Sequence, residues 1–298
     1  MIVSCHIGLS YACNMRCKHC FVNREKGRSY VEKNYRSIID SLYNMGVLFL
    51  FYTFGEPTLS EKFYDSVEYA KKKGFYQILM SNGYFIQNDE VAKKIVDAGI
   101  NKSCISIDYA NEQEHDINRG VKGAWQKALN SLEVLKNNKM KTTISCTIRE
   151  SNISDMDEIY QIGIDKKVNE ISFLRERSPE GICSFSSAKE KDYKENLIRL
   201  IEQPSSTSPK IIVHDKALIP SIKKTRILDS PTLDKYIDMN TCFASNNLSI
   251  APNGDVYRCA LNYKCDGNLS KDNIEEIIKK KVLTCYMNTK KMKREIKK

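Results

Sequence analysis

The chain has no apolar run long enough to cross a membrane. The longest, Val47 to Tyr52, spans six residues, against the roughly 18–20 that a membrane helix needs. Met1-Ile2-Val3-Ser4-Cys5-His6 has no basic region leading into an apolar stretch. No signal peptide and no membrane partner are therefore expected, and a cytoplasmic location is. A glycine-rich nucleotide fingerprint, a phosphate-binding loop and low-complexity segments are also missing, which removes the commonest nucleotide-binding folds. Nor is the composition that of a disordered or fibrous chain. With 298 residues, 41% of them hydrophobic and 28% charged, there is ample chain for one large core or two ordinary ones.

What the chain has in excess is cysteine, 11 in all. An odd count argues against complete disulfide pairing. In a reducing compartment, clustered cysteines read as metal sites or catalytic thiols. The net charge of +10 is concentrated at one end: residues 279–298 hold nine Lys/Arg against one Glu, while the preceding 278 hold 38 basic and 36 acidic residues. The plain reading of that segment is a solvated basic tail.

The hydrophobic pattern alternates between two periods. Strands are expected at 2–10, 47–54, 75–80, 102–109, 141–149 and 170–174, and helices at 33–45, 62–73, 89–98, 123–137 and 154–165. Gly74 and Gly99 follow two of these helices as stop signals. Strict strand–helix alternation predicts a parallel α/β sheet with helices outside it, curling toward a barrel through right-handed crossovers. Six units fall short of the eight that close a full barrel, so a partial (β/α)6 barrel over residues 1–203 is expected. Gln203-Pro204-Ser205-Ser206-Thr207-Ser208-Pro209 reads as a linker. Residues 204–298 form a small second domain, with a hairpin whose arms are Leu248–Ala251 and Val256–Cys259 and whose turn is Pro252-Asn253-Gly254-Asp255.

Cys13-x3-Cys17-x2-Cys20 lies just after the first strand, at the barrel end where such folds keep their chemistry. Three thiolates in one tight loop suit three irons of a 4Fe–4S cluster, leaving the fourth iron for a small molecule. The alternatives are a structural zinc site, for which three cysteines at this spacing are a poor set, or unrelated thiols. His19, between two of the cysteines, is either a ligand or a residue turned onto the bound cofactor.

This spacing resembles the signature of the radical S-adenosylmethionine (SAM) superfamily, and further segments are similar to that family's motifs in the same order. They are Thr53-Phe54-Gly55-Glu56-Pro57, Ser81-Asn82-Gly83, Ser106-Ile107-Asp108, His115-Asp116-x2-Arg119-Gly120 and Arg177-x-Pro179-x-Gly181. Two departures stand out. Phe54 takes the place of the first glycine of the family's G-G-E-P element and is expected to narrow the site. Tyr109 replaces the glycine usual after the aspartate.

The resemblance implies that SAM binds the open iron and is cleaved, by one electron from the cluster, to a 5′-deoxyadenosyl radical that abstracts hydrogen from substrate. It also implies that Glu56 accepts from the cofactor's ammonium and that Gly55 allows close backbone approach. Ser81 and Asn82 then lie at the cofactor, Ser106 and Asp108 meet the ribose, Arg119 pairs with the carboxylate and Leu174 packs on adenine.

Cys242-x11-Gly254-x4-Cys259, followed by Cys265, Gly267-Asn268-Leu269 and Cys285, resembles the SPASM/twitch extension of the same family, in its truncated form. The implied content is one auxiliary 4Fe–4S cluster on Cys242 and Cys259, with Cys285 third and Cys265 fourth; a zinc site is the alternative. Cys104 and Cys146 are expected to be core residues. Cys183, after the sixth strand, is either a loop thiol without a role or a hydrogen-atom donor.

SPASM/twitch relatives mostly modify peptides, so a ribosomally made peptide is the expected substrate, through crosslinking, epimerisation or oxidation. Dehydrogenation of a small sugar-like alcohol is the second reading. A nucleic-acid-binding iron–sulfur or zinc protein is the third, but it has no use for Gly55-Glu56-Pro57. With the first strand expected from residue 2, no N-terminal peptide-binding winged helix is expected, and leader recognition would then need another surface or another protein. The positive charge of residues 279–298 attracts anionic partners, so an acidic leader segment is expected on Lys290, Lys291, Lys293 and Arg294. An external one-electron reductant such as flavodoxin or ferredoxin is the other implied partner.

Overall fold

The computed structural model describes residues 2–20, 22, 29–178, 181–202, 208–213, 247–257 and 265–279. Along the chain run β1 (Ser4–Ile7), α1 (Tyr30–Asn44), β2 (Phe49–Tyr52), α2 (Phe63–Lys73), β3 (Tyr76–Ser81), α3 (Asp89–Ala98), β4 (Lys102–Ser106), α4 (Glu112–Arg119), α5 (Ala124–Asn137), β5 (Lys141–Ile148), α6 (Met156–Asp165) and β6 (Glu170–Arg175). A two-residue hairpin, β7 (Arg177–Ser178) and β8 (Gly181–Ile182), and α7 (Ser187–Glu202) come next. The remainder is β9 (Lys210–Val213), β10 (Asn247–Ile250), β11 (Asp255–Tyr257), β12 (Gly267–Asn268) and α8 (Ile274–Lys279).

Strands β1 to β6 lie side by side in sequence order, each parallel to the next. This is the partial α/β barrel read from the alternation. One face of the strands carries Cys5, Ile7, Leu50, Tyr52, Leu79, Ile105, Ile144, Cys146, Ile171 and Phe173, in one core with Ile39, Leu42, Val67, Ile95, Leu132 and Ile159 of the helices. Burying such aliphatic side chains stabilises the fold by about 1.5–3 kcal/mol each. The other face of β4 to β6 carries small hydroxyls in register, Ser106 beside Ser145 beside Ser172. Cys104 and Cys146 are buried strand residues as expected, and so is Cys5.

Two helices escape the sequence reading. Helix α4 carries the His115-Asp116-x2-Arg119 motif, and α7 buries only Tyr193, Leu197 and Leu200 along a charged surface. Both have too little apolar face to announce themselves. The expected hairpin forms as β10 and β11, and its first arm pairs parallel with β1. On the other side, β9 pairs parallel with β6. The sheet therefore continues across the division expected between residues 203 and 204. Cys242, Cys259, Cys285 and the basic residues beyond 279 lie outside the described residues. Among the described residues no helix is long and apolar enough to cross a membrane.

Candidate active site

The cysteine triplet and the motifs at 53–57, 81–83 and 106–108 lie at or just after the C-terminal ends of β1 to β4, and the 115–120 motif lies on α4 and its cap, so the topology gathers residues far apart in the chain around one loop, 10–20. The contacts show what holds that loop. After β2 the chain turns through two successive left-handed residues, Phe54 (φ 60°) and Gly55 (φ 57°). Gly55 passes directly under the loop: a Cβ there would stand 2.4 Å from the Ala12 carbonyl oxygen. The next N–H, of Glu56, donates to that same oxygen at 2.8 Å. A side chain at 55 is excluded both by the backbone conformation and by that contact.

Glu56 is fully buried. Its Oε1 accepts from Thr58 Oγ1 (2.7 Å) and Ser81 Oγ (2.9 Å), and its Oε2 from the Asn82 N–H (2.8 Å). Burial pushes its pKa above the usual carboxylate value, and these donors only partly oppose the shift. Asn82 donates in turn to Asn14 Oδ1 in the cysteine loop at 2.9 Å. Glu56 thus ties the end of β2 to the end of β3, and Asn82 ties both to the loop.

The third anchor is α4. The N–H groups of Arg16 and Lys18 donate to the carbonyls of Arg119 and Asn118, each at 2.9 Å. The Arg119 side chain points at the loop as well. Its Nη2 lies 2.7 Å from Asp108 Oδ2, and its Nη1 donates to Cys17 Sγ at 3.6 Å. Asp108 is completely buried. It also accepts from Asn118 Nδ2 (2.9 Å) and the Thr147 N–H (3.0 Å). Burial acts to raise its pKa, but Arg119, His19, His115 and the Thr147 N–H together outweigh it and hold the carboxyl below its usual value. His115 accepts the Asp108 N–H on Nδ1 at 3.2 Å. Burial, with Arg119 nearby, lowers its pKa to about 3, so it is neutral. His19 lies with Nδ1 3.7 Å from Asp108 and 3.3 Å from Asn118 Nδ2; burial lowers its pKa too.

Of the remaining expected residues, Ser106 and Leu174 are half-buried at the ends of β4 and β6. Cys183 is half-buried, its N–H bonded to the Glu176 carbonyl at 2.9 Å. Cys265 is exposed and donates its thiol to the Gly267 carbonyl at 3.1 Å. Tyr109 turns away from the loop and shares a hydrogen bond with Ser151 at 2.8 Å. Phe54 sends its ring toward the end of β1: a Cβ at Gly8 would meet Phe54 Cδ2 at 2.7 Å and Pro252 Cδ at 2.7 Å. Sequence reasoning missed Gly8, Asn14, Asn118 and Thr147. Only Asn118 carries a local signal, as an unspecified position of the motif on α4.

These residues fit an iron–sulfur cluster with a small acceptor-rich ligand. Cys13, Cys17 and Cys20 share one loop pinned from three sides. Among the described residues no three Cys, His, Asp or Glu side chains converge on a single-ion position; cluster ligands, which bind separate irons, do not need to. Within the loop and beside it, again among the described residues, Asn14 Nδ2 and Arg119 Nε are buried donors with no partner. Buried donors are rarely left unpaired, and these two suit a carboxylate or another anionic acceptor.

Comparison with known proteins agrees with this geometry. Residues 7–162 match the Radical SAM superfamily, and residues 242–297 match SPASM, an iron–sulfur cluster-binding domain. The chain belongs to the radical SAM superfamily. That membership implies SAM and a 4Fe–4S cluster as cofactors, and the SPASM domain implies an auxiliary iron–sulfur cluster.

The chain is 29% identical over 164 residues to the Fe-coproporphyrin III synthase of Methanosarcina barkeri, covering 54% of this chain and 41% of that protein. It is 25% identical over 256 residues to the mycofactocin maturase MftC of Mycobacterium ulcerans, covering 84% of this chain and 66% of the maturase. The chain thus spans less than half of the first relative's length. The crystal structure of Streptococcus suis SuiB bound to S-adenosylmethionine shares the fold, with a TM-score of 0.75 at 16% identity over 95% of this chain and 67% of SuiB. SuiB has also been crystallised with its precursor peptide SuiA.

Proposed function

We propose that this chain cleaves SAM at the cysteine loop and takes a hydrogen atom from a ribosomally made peptide, so that the peptide is crosslinked, epimerised or oxidised. The observation that carries the peptide reading is the match to the maturase MftC over 84% of the chain, beside a fold shared with SuiB, which has been crystallised with its precursor peptide. When bound, the reduced cluster and SAM supply one electron to the sulfonium and, as the C5′–S bond breaks, a carbon-centred radical.

The protein's part is to hold and shield. Cys13, Cys17 and Cys20 bind three irons. Gly55, Glu56, Ser81 and Asn82 shape the methionine end, and Arg119 receives the carboxylate on its unpaired Nε. Ser106, Asp108, Leu174 and His19 border the ribose and adenine. Cys242 and Cys259, with Cys285 and Cys265, ligate the auxiliary cluster, and Cys183 is the candidate hydrogen donor. An acidic leader on the basic C-terminal segment and a flavodoxin- or ferredoxin-type reductant complete the set of partners. The similarity to an Fe-coproporphyrin III synthase supports a second reading, in which the substrate is a tetrapyrrole.

The test is anaerobic reconstitution followed by SAM and dithionite. 5′-Deoxyadenosine is expected, and replacing Cys13, Cys17 and Cys20 together by Ala should abolish it and remove about four irons per chain. Incubation with short peptides encoded beside the gene, and separately with iron coproporphyrin, then distinguishes the substrates by the mass of the product. Cofactor cleavage that survives in the triple variant would refute the site. Conversion of the porphyrin but of no peptide would refute the peptide reading.

A further inference from the structure

We infer that the buried Arg119–Asp108 pair sets the reduction potential of the cluster held by Cys13, Cys17 and Cys20, with the two residues acting in opposite directions. The inference rests on the reading of that loop as a cluster site.

Arg119 is 6% exposed and Asp108 0%, so neither charge is screened by solvent. Arg119 lies between a carboxylate and a cysteine sulfur, with Nη2 2.7 Å from Asp108 and Nη1 3.6 Å from Cys17 Sγ. The pair is neutral as a whole but oriented, its positive end on the sulfur. The Arg119 backbone is held independently of the side-chain contacts, because its carbonyl receives the Arg16 N–H at 2.9 Å. Asp108 is fixed by the Thr147 N–H and Asn118.

Two further neighbours, His115 and Arg149, do not cancel this arrangement. His115 is neutral, with a pKa lowered to about 3. Arg149, which donates to Asn118, has its own counter-ion in Glu176 at 3.1 Å. Cys13, by contrast, accepts the uncharged backbone N–H of Met15 at 3.5 Å.

Reduction adds one negative charge to the cluster and its thiolates. A cationic donor on a ligand sulfur stabilises the reduced form more than the oxidised form and raises the potential. The carboxylate behind it opposes that effect. Removing the cation should therefore lower the potential, and removing the carboxylate's charge should raise it. A purely structural role for the pair predicts no such opposition of sign.

The experiment is a potentiometric titration, followed by electron paramagnetic resonance, of the anaerobically reconstituted full chain without SAM. The relevant signal is the one absent from the Cys13/Cys17/Cys20→Ala variant. Arg119→Gln should shift the midpoint to more negative potential, Arg119→Lys less far in the same direction, and Asp108→Asn to more positive potential. Because SAM is left out, a role of Arg119 in cofactor binding cannot produce these shifts. Unchanged midpoints, or shifts of one sign for Arg119→Gln and Asp108→Asn, overturn the inference. If Arg119→Gln assembles no cluster, Arg119→Lys and Asp108→Asn decide by the same signs. Iron content keeps the two levels apart: a wild-type chain without iron in this loop refutes the cluster site itself, whereas a normal cluster with insensitive midpoints refutes only the tuning.

Discussion

Phe54 and Gly8 should be energetically coupled, although 46 positions separate them in the chain. Phe54 holds a left-handed backbone conformation that costs a non-glycine residue about 1–2 kcal/mol. Its ring fills the space that Gly8 leaves open. A Cβ placed at Gly8 would lie 2.7 Å from Phe54 Cδ2, 2.8 Å from Phe54 Cβ and 2.7 Å from Pro252 Cδ. Overpacking of this kind costs about 1–3 kcal/mol, the cost expected for Gly8→Ala in the wild-type background. In a Phe54→Gly background two of those three contacts vanish, and the cost of Gly8→Ala should fall by about 1–2 kcal/mol, within the range of coupling between touching residues.

Phe54→Gly alone is not decisive, because relief of backbone strain offsets the lost burial of a half-exposed ring. Phe54→Ala should be less stable than Phe54→Gly, since it keeps the strain and loses the ring. The assay is anaerobic guanidinium unfolding of the four members of the cycle. Additivity within about 0.5 kcal/mol would mean that the ring does not sit over Gly8.

Three further outcomes follow from the site. Gly55→Ala, whose Cβ would press on the Ala12 carbonyl at 2.4 Å, should break the Glu56–Ala12 hydrogen bond and lower the iron taken up on reconstitution; full iron content in that variant would contradict the proposed support of the loop. Glu56 has a folded-state pKa above its ordinary value, so its ionisation opposes folding, and its contribution is full at low pH and lost as pH rises through the folded pKa. The stability of Glu56→Gln should gain on the wild type as pH rises above about 4.3, and a difference independent of pH would refute the assigned burial. His115 has its pKa lowered to about 3, so its contribution is present above the unfolded value of about 6.5 and is lost as pH falls toward the folded one. His115→Gln should remove about 1.4 kcal/mol of acid sensitivity per pH unit in that window; an unchanged slope between wild type and variant would show that the imidazole is not buried neutral.

The parts of this protein that the sequence determines are those with local causes. Strand and helix periods alternate within windows of about ten residues, and Gly74 and Gly99 end α2 and α3 where their position predicts. The cysteine triplet and the motifs after β2, β3 and β4 are legible because each is a short run with its chemistry written side by side. Helices α4 and α7 are not legible, since a helix that buries few residues leaves little apolar period to read. What those motifs do to one another is decided only by the tertiary structure. Glu56 binds Ser81 and Asn82, Asn82 binds Asn14, and Arg119 reaches Cys17 across 102 positions. Nothing in the sequence pairs Gly8 with Phe54 or sets β10 beside β1. Such contacts arise because parallel strands return each loop to the same end of the barrel, and they depend on distances fixed by the packing of the whole sheet rather than by spacing along the chain.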